Sequence, residues 1–119
     1  MKLRLAQHEL AQLADFQQRH RVSLMCMTAV ELADAPQLRQ RLGDTEAQRL
    51  ILQHDQILRD LLATFPGGLE VNSGTGAFFL VFERPSDAVR FAVQWQERLA
   101  RLARATRQKL AARQGIHLG

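Results

Sequence analysis

Residues 22–30 (VSLMCMTAV) form a stretch without a charge, and this stretch constrains the fold more than any other part of the sequence. Apolar side chains occupy both alternating sets of positions, which is the pattern of a β-strand covered on both faces. The chain has 119 residues, which is enough for one domain with a single core. We therefore predict a strand here that needs a covering layer on each side of its sheet.

Periodic patterns place the other elements. Apolar residues recur at helical spacing over residues 44–62, and a shorter helix before them ends at Gly43. Two strands, 69–73 and 77–82, then form a hairpin, and Pro85 opens a further long helix.

The order of elements is one helix followed by βααββα(β), with residues 115–119 as the optional last strand. This order predicts an α+β fold of the ferredoxin-like kind, in which an antiparallel sheet carries helices on one face. Residues 1–20 form an N-terminal amphipathic helix, and residues 21–119 form the domain that follows it.

The N-terminal helix has an apolar stripe at alternating spacings of three and four, made of Leu3, Ala6, Leu10 and Leu13. Two heptads are too few to establish a coiled coil, so the favoured interpretation is a helix lying on its own domain. The alternative is that these four residues form the interface of a homodimer.

Several classes of protein are excluded or disfavoured. No apolar run approaches the roughly 18 residues that span a bilayer, and Glu9 interrupts any signal-peptide core, so we predict no membrane insertion and a cytoplasmic location. The single cysteine, Cys26, cannot form an internal disulfide, and we expect it to be a buried residue with an inert thiol. His54 lies on the apolar face of its helix, where a histidine bonded to a neighbour is a more common finding than a ligand or a base.

The net charge of +4 comes from one segment, because residues 98–113 contain six cations and no carboxylate. Such a run could follow a nucleic-acid backbone. No aromatic residue is interleaved with it to stack on bases, so we expect a solvated helix face and no nucleic-acid partner. An acidic partner protein is the alternative.

Several separate stretches share the order and spacing of a known family: Leu42-Gly43-Asp44, His54-Asp55 with Arg59, Gly67-Gly68, the stretch 77–82, Ser86-Asp87-Ala88-Val89, and Gly115-Ile116-His117 with Gly119. Together they resemble the class III nucleotidyl cyclases, which make cyclic AMP or cyclic GMP. A diguanylate cyclase is disfavoured because the Gly-Gly-acidic-acidic signature is missing. The region of resemblance runs from about Val22 to the end of the sequence.

The resemblance implies a site in which two aspartates, one in the first strand and one in the hairpin, hold two magnesium ions. Here the hairpin position falls on Gly76, or on Thr75 after a shift of one residue. The strand position falls on Glu31 or on Thr28, depending on the direction of counting. Glu31 is therefore the one candidate metal ligand, and we expect no catalytic residues and no cofactor.

We accordingly expect a partial, degenerate cyclase-like domain that is inactive as this chain, because the family's later catalytic residues have no matching positions. It would act as a signalling, regulatory or dimerisation module, paired with itself or with another cyclase-type domain. The alternatives are a fragment or subunit of an active adenylate or guanylate cyclase, with Glu31 as the surviving ligand, and a small basic nucleic-acid-binding protein.

Overall fold

A computed structural model describes residues 6–20, 25–33, 35–74 and 76–118, the side chains of residues 17–20 excepted. Of the positions discussed above, Leu3, residues 22–24, Thr75 and Gly119 lie outside these ranges. The described ranges contain these helices and strands: α1 (Gln7–His20), β1 (Cys26–Leu32), α2 (Ala35–Leu42), α3 (Asp44–Leu62), β2 (Gly68–Gly74), β3 (Ala77–Phe82), α4 (Pro85–Thr106) and β4 (Ala112–Leu118).

The strands form one antiparallel sheet in the order β2-β3-β1-β4. This confirms the predicted α+β, ferredoxin-like arrangement. Three predicted strands were too short: β1 continues to Leu32, β2 runs from Gly68 to Gly74, and β4 begins at Ala112. Leu32 of β1 and Ala112 of β4 pair with each other. Backbone pairing therefore extends both strands beyond their apolar segments.

The helices α2, α3 and α4 cover one face of the sheet, as predicted. Alternate residues of β1 and β3 point into this core, among them Val30, Leu80 and Phe82. Trp95 of α4 is completely buried there, and its ring lies 4.7 Å from that of His54 on α3.

The other face of the sheet is covered by α1. Its Leu13 and Phe16 belong to a second apolar cluster, whose remaining buried members are Met25, Val71, Phe79 and Val81. The expectation of a helix lying on its own domain is thus confirmed, and β1 has a covering layer on each side.

The face that α1 turns inward differs from the predicted stripe. Ala6 is exposed, and Leu10 is 53% exposed, whereas Glu9, Leu13 and Phe16 are buried. These three buried residues are spaced by four and three, so they share one side of the helix. Phe16, the largest apolar side chain of α1, determines which side that is, and Glu9 accepts a hydrogen bond from the Ala6 amide at 3.1 Å.

Candidate functional site

The two strand positions singled out above meet at one end of the sheet, where β1 ends and β2 turns into β3. The Leu32 amide donates a hydrogen bond to the Gly76 carbonyl at 2.7 Å, and Glu31 pairs with Ala77 of β3 and with Arg113 of β4. We call this end the hairpin site, defined by Glu31, Asp55 and Gly76.

Glu31 and Gly76 face opposite sides of the sheet. Gly76 is buried with φ +75°, and a Cβ atom built on it would lie 3.5 Å from Leu32 Cβ and 3.6 Å from Ile51 Cγ2, in the helix-covered core. Glu31 precedes Leu32 in the strand, so its side chain points to the α1 side and is partly exposed. A carboxylate at position 76 would therefore project among apolar side chains, away from Glu31.

Thr28, the alternative strand position, lies in the middle of the sheet. It pairs with Leu80 and Ile116, is completely buried, and its hydroxyl has no hydrogen-bond partner among the described residues. Glu31 lies three positions further along the strand, which corresponds to about 10 Å. Thr28 is thus part of the core and is remote from the hairpin turn.

A carboxylate does reach the hairpin, but it comes from the helix. Asp55 of α3 is 6% exposed, and its Oδ2 accepts a hydrogen bond from the Gly76 amide at 3.4 Å. Its Oδ1 lies 2.7 Å from Nδ1 of His54. We did not assign Asp55 a role from the sequence, although its spacing of four from Ile51 places it on the side of α3 that meets the hairpin.

His54 is buried on the inner face of α3, which confirms that it is a core histidine bonded to a neighbour. Burial lowers the pKa of His54, against the opposing effect of the Asp55 hydrogen bond and charge. A neutral ring with the proton on Nδ1 donates to Asp55, and Nε2 then has no partner among the described residues. The pair therefore anchors the hairpin turn to α3.

Arg59, one helical turn beyond Asp55, makes a second connection between α3 and the hairpin. Its Nε donates to Glu70 at 3.0 Å and one terminal nitrogen donates to the Ser73 hydroxyl at 3.3 Å, while the guanidinium lies 5.1 Å from the centre of the Phe78 ring. The hydrogen bond to Glu70 raises the pKa of Arg59, so the group stays charged. Because Arg59 is half exposed, this ion pair contributes at most about 1 kcal/mol.

The hairpin site does not fit the pair of magnesium ions that the resemblance implies. Among the described residues, no group of three or more histidine, cysteine or acidic side chains could hold a metal ion. Asp55 already uses one oxygen for His54 and the other for Gly76. The geometry is that of a hairpin held rigidly against a helix.

Two further sequence predictions can be placed on the structure. Cys26 is completely buried, as expected, and burial raises the pKa of its thiol, which keeps it protonated and unreactive.

Of the proposed dimer residues, Ala6 and Leu10 are exposed on α1 while Leu13 is buried against the sheet. Within the described residues, no helix is long and apolar enough to cross a membrane.

No family model and no curated protein matches this sequence. The structure resembles the adenylyl cyclase CyaB from Pseudomonas aeruginosa with a TM-score of 0.72 and 14% identity, over 81% of this chain and 56% of that one. It also resembles the active GGEEF domain of a diguanylate cyclase from Vibrio cholerae, with a TM-score of 0.68 and 14% identity, over 89% of this chain and 72% of that one.

The guanylate cyclase domain of RhGC from Catenaria anguillulae, solved in complex with GTP, aligns with a TM-score of 0.57 and 20% identity, over 81% of this chain and 56% of that one. At these identities the likeness shows the fold. The cyclase-like fold that the sequence resemblance implied is therefore confirmed, and the chain spans little more than half the length of the adenylyl and guanylate cyclase domains.

Proposed function

We propose that this chain is a non-catalytic cyclase-like domain that acts as a regulatory or dimerisation module. The observation that supports the proposal is the orientation of the hairpin site: Glu31 and Gly76 point to opposite faces of the sheet. Its partner would be a second copy or another cyclase-type domain. In this proposal residues 1–20 are the N-terminal helix of the module, residues 21–119 are its cyclase-like domain, and its location is the cytoplasm.

The physical reason concerns charge. Two-metal catalysis of phosphoryl transfer needs anionic ligands that hold both ions on one side of the reacting phosphate. The hairpin sequence from Asn72 to Ala77 contains no carboxylate, and Asp55 accepts hydrogen bonds from His54 and Gly76. Glu31 alone could hold at most one metal ion, which would leave the negative charge of a triphosphate largely uncompensated.

The direct test is a cyclisation assay with ATP or GTP in the presence of magnesium or manganese. We expect no cyclic nucleotide above a heat-killed control, with an active adenylyl cyclase assayed in parallel. Metal-dependent product would overturn the proposal. If Glu31→Gln then abolished that product while Glu83→Gln retained it, the chain would be an active cyclase with Glu31 as a metal ligand.

A second test restores the carboxylate of the hairpin. Gly76→Asp should produce no cyclic nucleotide and should lower the free energy of unfolding by about 3 kcal/mol or more, because the backbone at φ +75° favours glycine and the carboxylate would be buried beside Leu32 and Ile51. Gly76→Asn is the matched control, since it has the same shape without the charge. Cyclic product from Gly76→Asp alone would show that the position can hold a metal after all.

A further inference from the structure

Two exposed cations, Arg104 and Lys109, line one groove with a volume of about 640 Å³. The other residues that line it are Gln108, Leu110 and three alanines, Ala100, Ala103 and Ala111. We call it the basic groove. It is separate from the hairpin site, because none of its lining residues belongs to that site.

The backbone at the end of α4 creates the groove. The helix ends at Thr106, and Arg107 adopts a left-handed conformation with φ 56° and ψ 33°. The chain therefore reverses, so that residues 108–111 pass back beside α4 before β4 begins. Two cations that are five residues apart in the sequence thus line the same groove, Arg104 from the helix and Lys109 from the returning segment.

The cations of residues 101–109 have no anionic partners within the described residues. Arg101, Arg104, Arg107 and Lys109 are all exposed, and their side chains form no ion pair or hydrogen bond there. The partial negative charge at the C-terminal end of α4 stabilises a nearby cation by about 0.3–1 kcal/mol, and Arg104 in the last turn is such a cation. The remaining cations have no such stabilisation to offset their mutual repulsion.

Arg107 itself occupies a position where glycine would be better suited. A left-handed residue after a helix is most often glycine, because any other L residue strains the backbone by about 1–2 kcal/mol. The backbone conformation alone therefore gives no reason for an arginine at this position.

We propose that the basic groove binds an acidic segment of a partner protein. Glutamate or aspartate side chains would reach Arg104 and Lys109, while small apolar side chains of the same segment would contact the alanines and Leu110 that line the groove. A phosphodiester strand would use only the charge, since no aromatic residue lines the groove for base stacking. This inference goes beyond the proposed function, because a catalytic or a non-catalytic domain could carry such a surface.

The probe for the test is a fluorescein-labelled peptide of alternating glutamate and alanine, with fluorescence anisotropy at low and at physiological salt as the measurement. We expect saturable binding that weakens as salt increases. A peptide with glutamine in place of every glutamate should not bind. Equal binding of the two peptides would overturn the proposal.

Charge reversal locates the contact. Arg104→Glu and Lys109→Glu should each weaken binding about tenfold or more. Arg84→Glu is the matched control, because Arg84 is an exposed arginine at the opposite end of α4 and the change in charge is the same. It should weaken binding by less than about twofold.

Two outcomes would contradict the proposal. An effect of Arg84→Glu as large as that of Arg104→Glu would assign the binding to net charge alone. Tighter binding of oligothymidylate than of the acidic peptide would make the groove a nucleic-acid site instead. If Arg104→Glu fails to fold, as judged by circular dichroism, Arg104→Gln removes the charge while retaining a good helix former, and about threefold weaker binding is then expected.

Discussion

His54 shows how one buried side chain can link three elements of the fold. It belongs to α3, its ring lies edge-on against Trp95 of α4, and through Asp55 it is connected to the amide of Gly76. Burial favours a neutral ring, since a charged imidazole in this core would lose its hydration, and this effect exceeds the opposing effect of Asp55. The protonation state of His54 is therefore coupled to the stability of the fold.

The coupling predicts a particular dependence of stability on pH. Because burial lowers the pKa of His54 in the folded state, the unfolded chain binds more protons once the pH falls below about 6.5. The contribution of His54 to the free energy of unfolding should be constant above that pH. Below it, the free energy of unfolding should decrease by up to about 1.4 kcal/mol per pH unit.

Urea unfolding at several pH values between about 5 and 7.5 measures this slope. His54→Gln should lower stability at neutral pH and should reduce the slope, whereas His117→Gln, at an exposed position, should leave the slope unchanged. A slope that is the same in wild type and in His54→Gln would show that other groups cause the acid sensitivity.

At the level of residues, the resemblance assigned Gly76 to the hairpin and Glu31 or Thr28 to the first strand, but the sequence did not reveal which faces of the sheet these positions point to. The face to which each position points depends on the pairing of β1 with β3 and on the left-handed backbone at Gly76. Neither feature can be read from the residues next to these positions in the sequence. The role of Asp55 was missed for the same reason, because its partner Gly76 lies 21 residues away.

At the level of elements, helix periodicity predicted the buried face correctly where the helix has many turns. The apolar side of α3 faces the core as its periodicity predicted, because the pattern repeats over several turns. The inner face of α1 was assigned incorrectly, since a short helix offers two overlapping stripes and packing of Phe16 decides between them. The strand β4 was incompletely predicted because pairing, rather than apolar content, defines it.

The attachment of α1 can be tested through Phe16, which is 1% exposed between α1 and the sheet. Phe16→Ala should lower the free energy of unfolding by about 3 kcal/mol, through lost burial and the cavity that remains. Leu10→Ala, on the exposed side of the same helix, should change it by less than about 0.5 kcal/mol. Similar losses for both variants in denaturant unfolding would mean that α1 is not held by the Phe16 side.

For the whole molecule, the sheet has two flanking strands, β2 and β4, and each pairs on one side only among the described residues. Exposed strand edges are commonly paired or blocked in natural proteins. The outer side of α1 also presents Leu10, which is 53% exposed. These features agree with self-association of the module across a two-fold axis.

We expect a symmetric homodimer in sedimentation velocity at high micromolar concentration. Leu10→Glu should raise the dimer dissociation constant at least about tenfold without changing the thermal stability of the monomer. Gln12→Glu, also exposed on α1, is the matched control and should have little effect. Leu13→Glu is unsuitable as a probe, because Leu13 is buried and its replacement would disturb the fold itself.

A monomeric wild-type protein at these concentrations would contradict the expectation. An equal loss of association in Gln12→Glu would assign the effect to charge on α1 and not to Leu10. Either result would leave the cyclase-like fold unaffected, because the fold is supported by the sheet and its two covering layers.

The position of β1 at the centre of the sheet also determines when folding can be completed during synthesis. Its partners are β3, which begins at Ala77, and β4, whose Leu118 pairs with Cys26. Contacts between residues so distant in sequence make folding slow, because long loops must close before the pairing contributes. Until β4 leaves the ribosome, a strand that is apolar on both faces has an open edge, and the nascent chain is then at its most prone to aggregation.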